Sequence, residues 1–356
     1  MAAGFLRSAY QQRGLKNGMA GFSWRRVTDE QLLDMRLCDL PIRIAGTALA
    51  QRIKHLYTEL ADRDLRFRPH AWLSAEWFSP DGVPGFAIPF YLAHPRLMRL
   101  ERKLMLEVEG ATERECLRIM RHEAGHALSN AYRLHYKRRW RDLFGPFGKP
   151  YPEFYKPKPH SRGYVLHLGA WYAQAHPAED FAETFAIWLA PGGRWRTRYR
   201  GWPALRKLEY VDQLMTEISG RTPVVRQRVK VEPLSELRMT LREHYERKRM
   251  HYVVRRPAPF DRDLHRIFVP RAGHETRPTA VSFLRRHRRE LVHAIAEGTG
   301  MHAYAVDQII THMIDRCRAL RLRLSVSQAQ TLRKMLVMLT VQTMHGVYTG
   351  YHRIPL

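Results

Sequence analysis

The pentapeptide His122-Glu123-Ala124-Gly125-His126 constrains this chain more than any other stretch. Two histidines four apart on a helix stack on one face, because successive turns bring positions i and i+4 together. Their ring nitrogens can then bind one Zn²⁺, with Glu123 beside the open coordination position as a general base. The flanking residues read as helix. Thr112-Glu113-Arg114-Glu115 is a capping-box pattern, with Thr112 as N-cap and Glu115 reaching back. Cys116, Leu117, Met120, Ala124, Ala127, Leu128 and Ala131 then recur at helical spacing. The expected helix covers residues 112–134, with the pentapeptide well inside it. Gly125 costs such a helix about 1 kcal/mol relative to alanine, so its presence suggests either close approach by another backbone or a ligand, or a neutral accident. The competing reading is a surface helix with two solvated histidines, in a chain that has 19 histidines.

A third ligand decides between zinc classes. The metzincin pattern needs glycine three residues after the second histidine and another histidine six residues after it. Those positions hold Ser129 and Tyr132, and His135 falls on the wrong turn. A glutamate from a second helix is the other solution. His176-Pro177-Ala178-Glu179 looks like a helix start, with Pro177 at the first position, where its missing N–H costs nothing. Phe181, Ala182, Phe185, Ala186, Trp188 and Leu189 continue the helix, and Pro191-Gly192-Gly193 ends it. Glu179 and Glu183 then share a face, a repulsive pairing unless something cationic meets them. A zinc ion for Glu179 and a metal-bound imidazole N–H for Glu183 satisfy both, since ligating histidines commonly donate their second nitrogen to a carboxylate. Alternatively, Glu179, Asp180 and Glu183 only complement the helix N-terminal dipole.

With these residues in place, HEAGH followed by HPAEDFAETFAIWL resembles the bacterial zinc-binding metallopeptidase family that shows HExGH and then a helix of the HP-x-EDxAETxA type. It is also similar to the lethal-factor-type gluzincins, whose second helix carries ExxxE among phenylalanines and alanines. The resemblance is specific over 120–190 and extends over roughly 70–220. It implies Glu179 as the third ligand and Glu183 as the residue orienting a zinc-bound histidine. It also implies that Tyr172, seven residues before Glu179, stabilises the transition state. The family name carries a reaction class and no substrate.

Composition bounds the rest. A chain of 356 residues with 45% hydrophobic content can bury a substantial core as one large or two smaller domains. Cys38, Cys116 and Cys317 are too few and too scattered for a disulfide scaffold, and Cys116 reads as a buried thiol. The first residues lack the apolar core of a signal peptide, and no apolar run reaches the length of a membrane span, so the cytoplasm is the default location. The net charge of +26 attracts polyanions, which makes an acidic peptide, a nucleic acid or an anionic surface a reasonable partner. That charge is spread along the chain. Arg285-Arg286-His287-Arg288-Arg289 reads first as a solvated helix face and second as a polyanion contact.

Along the chain, residues 1–20 look poorly ordered, and a helix is expected over 44–62. Stretches 70–78 and 86–92 read as strands around the turn Ser79-Pro80-Asp81-Gly82. By analogy with zinc peptidases, 86–92 would be an edge strand to which an extended substrate pairs, and Pro89 fits an edge position. The proline-rich, aromatic loop over 142–165 reads as a rigid cleft wall or a long connector. Tyr164 and His167 are candidates to line the cleft or to pack ordinarily. Further helices are expected near 202–218, 234–251, 281–297, 302–322 and 327–347, the last opening with the capping box Ser327-x-x-Gln330.

The expectation is therefore an α+β, predominantly helical protein. It comprises an N-terminal tail and helix (1–64), a zincin-like catalytic domain with a small edge β-sheet (65–222) and a basic helical accessory region (223–356). His122, His126 and Glu179 would bind one Zn²⁺ per chain, which lowers the pKa of its water from about 15.7 to near 7. Glu123 would accept the proton and pass it to the leaving amine, while Tyr172 donates to the oxyanion. The partner is then a peptide or protein of unstated sequence. Two other readings fit the same residues: hydrolysis of amides that are not peptides, and a basic polyanion- or nucleic-acid-binding protein with a structural or vestigial zinc site.

Overall fold

Helices built by the 3.6-residue repeat dominate the computed structural model, which describes residues 23–152, 154–252, 260–349 and 354–355. The expected disorder over 1–20 lies outside the described residues. The main elements run α1 (Ala48–Ala61), β1 (His70–Ser74), β2 (Gly85–Pro89), α2 (Pro95–Met105), α3 (Glu113–Tyr132), β3 (Phe154–Tyr155), α4 (Pro177–Leu189), α5 (Ala204–Ile218) and α6 (Leu241–His251). They continue with β4 (Phe268–Pro270), α7 (Ala280–Thr299), α8 (Ala303–Ala319), β5 (Leu322–Leu324), α9 (Gln328–Thr349) and β6 (Ile354–Pro355). Three two-stranded sheets form: β1 with β2, β3 with β6, and β4 with β5. Among the described residues no helix is long and apolar enough to cross a membrane.

Buried apolar side chains gather into two main clusters, one running from Leu32 to Tyr245 and the other from Phe260 to Leu339. The first is organised by α3 and α4. Helix α4 is buried from Pro177 through Ala186, as expected of a helix apolar nearly all round. Its start is capped by His176, whose Nδ1 accepts the Ala178 N–H at 3.1 Å, with Pro177 at the first position. On α3, Thr112 Oγ1 accepts the Glu115 N–H at 3.2 Å, one arm of the expected box. Gly125 explains how closely the two helices pack. A Cβ there would lie 3.0 Å from the Cα of Ala182 and 3.1 Å from the Phe185 ring. Another backbone does come close, and it belongs to α4.

Three expectations change. Strands β1 and β2 pair in parallel, His70 opposite Gly85 through Ser74 opposite Pro89, rather than folding back around Pro80-Asp81. The intervening residues 75–84 are long enough to carry the chain back to the start of the sheet. Nor is 86–92 an open edge. Residues 85–89 are all buried, Ala87 N–H is taken by the Phe78 carbonyl at 2.8 Å, and Phe90–Ala93 turn into a 3-10 helix. Helix α2 follows the strands in a region where the sequence pattern suggests strands alone, and His94-Pro95 starts it as His176-Pro177 starts α4: His94 Nδ1 accepts the Arg96 N–H at 3.1 Å.

Candidate metal centre

Helical spacing puts His122 and His126 on the face of α3 turned toward α4, and the Gly125 contact brings Glu179 to them. His122 Nε2 and His126 Nε2 lie 3.1 Å apart, and Glu179 Oε2 lies 3.0 Å from the first and 3.1 Å from the second. The three atoms make a nearly equilateral triangle, and among the described residues this is the set of three able to hold a metal ion. A tetrahedral zinc with bonds of about 2.0–2.1 Å needs ligand atoms about 3.3 Å apart. The triangle fits that requirement.

The hydrogen bonds fix which atoms face inward. His122 Nδ1 is 2.8 Å from Glu183 Oε1, so it donates there and Nε2 keeps its lone pair for the triangle. Glu183 Oε2 accepts the Leu168 N–H at 2.8 Å, which holds the carboxylate in register. On Glu179 the outward oxygen, Oε1, accepts the Tyr151 hydroxyl at 2.7 Å. Tyr151 is itself stacked on His176, ring centroids 3.8 Å apart, and His176 Nε2 donates to the Lys149 carbonyl at 2.6 Å.

Electrostatics point to the same demand for positive charge. Burial disfavours ionised Glu179, yet His126 and His122 beside it hold its carboxyl well below the usual carboxylate range. Burial likewise disfavours a charged His122, but Glu179 and Glu183 overcome it and raise the imidazole well above its ordinary value. Two ring lone pairs and a carboxylate oxygen aimed at one point repel each other unless a proton or a cation sits among them.

Glu123 is buried, with its Oε2 lacking a hydrogen-bond partner. Burial pushes its carboxyl up, and His122 and His126 pull the other way. An unpartnered buried carboxylate oxygen next to a ligand cluster is costly for stability alone and suits a group that handles protons. Tyr172 lies at the start of a 3-10 turn, its ring centroid 5.5 Å from that of His122. The two preceding residues, Ala170 and Trp171, have left-handed φ of 58° and 55°, conformations that cost non-glycine residues about 1–2 kcal/mol each. Burial, then the charges of Glu179 and Glu123, raises the Tyr172 hydroxyl well above its ordinary value, so it stays protonated.

The remaining candidates fall elsewhere. Asp180 meets Lys207 Nζ of α5 at 2.6 Å, where the ammonium also bonds the Gly163 carbonyl. Tyr164 packs under the same ammonium, 4.3 Å from ring centroid to Nζ. His167 Nε2 is 2.9 Å from the Arg118 carbonyl of α3, an anchor for the loop before Tyr172. His135 stacks on Phe147, outside the triangle. Tyr151 is the residue that spacing could not find. It lies 28 positions before Glu179 in a segment with no periodicity, and the aromatic, proline-rich composition of 142–165 was the only signal.

Residues 99–197 match the model of a family described as putative zinc-binding metallo-peptidases. That stretch contains His122, Glu123, His126, Tyr172, Glu179 and Glu183. No curated protein and no solved structure matches the chain.

Proposed function

We infer that the chain is a zinc-dependent peptidase of the gluzincin type, with His122, His126 and Glu179 as ligands of one Zn²⁺. The triangle of His122 Nε2, His126 Nε2 and Glu179 Oε2, with edges of 3.0–3.1 Å, carries this reading. The family match over 99–197 supports its chemistry. When bound, zinc supplies Lewis acidity and makes water acidic enough to react near neutral pH.

The chain's own residues do the rest. Glu183 keeps the His122 lone pair aimed inward through the 2.8 Å contact at Nδ1. Glu123, buried and with one oxygen free of partners, takes the proton of the attacking water and later gives it to the departing amine. Tyr172, held protonated, donates to the developing oxyanion, a contribution of about 3 kcal/mol for such donors. Tyr151 keeps Glu179 Oε1 turned away, leaving Oε2 as the ligating atom.

The test is cleavage of unfolded casein by the zinc-loaded chain beside Glu123→Gln. Retained zinc with a loss of at least about 100-fold in rate is expected, the size of a general-base contribution. A Glu123→Gln protein that cleaves as fast as the parent contradicts the assignment.

A further inference from the structure

Strand β3 lies in the loop between the two site helices, and β6 pairs with it antiparallel, Phe154 opposite Pro355 and Tyr155 opposite Ile354. This short ladder borders the site. Just before it, Tyr151 donates to Glu179 Oε1 at 2.7 Å. Within it, Tyr155 donates to the Ala170 carbonyl at 2.7 Å, and its ring stands edge-on to Tyr172, centroids 6.5 Å apart. Tyr172 in turn packs on His122. Side chains on β3 and just before it therefore reach the tyrosine beside His122 and the outward oxygen of Glu179.

The other strand near α3 is not available to a partner chain. Strand β2 is paired with β1 and bridged by Phe78 at Ala87. Among the described residues, β3 is the strand beside the triangle that takes up an extended segment from elsewhere.

We propose that the β3 edge is the docking strand for the backbone of an extended peptide substrate, and that the segment around Ile354–Pro355 sits there as a built-in competitor. The nature of the displaced partner rests on the peptidase reading; the docking itself does not. Strand addition uses main-chain hydrogen bonds, so it accepts many sequences, as a peptidase cleft requires. The resident segment is a weak strand. Proline lacks an N–H to donate, and a two-residue ladder is marginal on its own, so a longer peptide with all its donors can displace it. Belonging to the same chain gives it a high local concentration at β3.

The test uses a fluorescent peptide, Gly-Tyr-His-Arg-Ile-Pro-Leu, copied from residues 350–356. Its binding is followed by anisotropy in a Glu123→Gln background, so no cleavage intervenes. Three chains are compared: the full chain, a chain ending at Thr349, and a full-length chain carrying Ile354→Pro, which removes the remaining N–H of the two paired residues. The peptide should bind the shortened and the Ile354→Pro chains about tenfold more tightly than the full chain, the tethered segment being removed in one and stripped of its backbone donor in the other. Unfolded casein should displace it. No binding to the shortened chain while its melting temperature matches the parent overturns the proposal, as does equal binding to all three or failure of casein to displace the peptide. Binding and displacement without cleavage in the Glu123-containing chain would uphold the docking strand and reject the peptidase chemistry.

Discussion

Gly125 on α3 faces Ala182 on α4 so closely that a Cβ would lie 3.0 Å from the Ala182 Cα. The contact couples the two helices that carry the triangle, because His126 follows Gly125, Glu123 stands two residues before it, and Glu183 follows Ala182. Alanine at position 125 gains about 1 kcal/mol of helix propensity. It also meets backbone that cannot rotate away, and overpacking of this kind costs about 1–3 kcal/mol. Gly125→Ala should therefore lower the melting temperature and weaken zinc binding together. An unchanged zinc affinity would show that the separation of the helices does not control the triangle.

Glu183 holds His122 through Nδ1 at 2.8 Å. Glu183→Gln keeps the shape and removes the charge, and partners of this kind are worth about 10–100-fold in metal affinity. The affinity measured by competition with a chromogenic chelator should fall within that range. A value equal to the parent would mean that Glu183 has no part in orienting the histidine.

Asp180 and Lys207 form a buried pair, the carboxylate 3% and the ammonium 13% exposed, 2.6 Å apart. Removing one partner strands the other, at a typical cost of about 3–5 kcal/mol. Lys207→Met should lose at least about 3 kcal/mol of unfolding free energy in urea. The double variant Asp180→Asn, Lys207→Met should recover part of it, and failure to recover would assign the loss to the packing of the lysine stem.

Acid sensitivity should come partly from His244, which lies far from the triangle in sequence and is 5% exposed, its Nε2 making no hydrogen bond and lying 3.7 Å from Glu76 Oε1. Burial, then Lys248 and Arg247, pushes its imidazole down from 6.5 to about 3. A base depressed in the folded state stays neutral there while the unfolded chain takes up a proton. Its stability is thus fully present above pH 6.5 and is lost as pH falls toward about 3. Within that window one proton is worth about 1.4 kcal/mol per pH unit. His244→Asn should flatten the dependence of unfolding free energy on pH by up to that slope. An unchanged slope would show that His244 takes up a proton in the folded state.

Much of the helical framework was legible in the sequence, because apolar residues three and four apart mark a face whatever packs on it. The spans near 112–134, 202–218, 281–297 and 327–347 correspond to helices α3, α5, α7 and α9. So was the shared face of Glu179 and Glu183, which follows from their spacing. Contacts between distant segments were not legible. The parallel pairing of β1 with β2 depends on the path of residues 75–84, which no short-range pattern encodes. Tyr151 reaches Glu179, and Lys207 reaches Asp180, only after the loop over 142–165 and helix α5 have folded onto α4. Strand β3 carries no local signal for a similar reason: its partner lies about 200 residues away at Ile354–Pro355.

The central claim is that His122, His126 and Glu179 hold one zinc ion. Elemental mass spectrometry on chain purified without chelator and dialysed against trace zinc measures it directly, with Glu179→Ala in parallel. About one zinc per chain, lost in the variant, is the predicted result for a site of three protein ligands. A parent chain without zinc, or a variant that keeps it, would contradict the account.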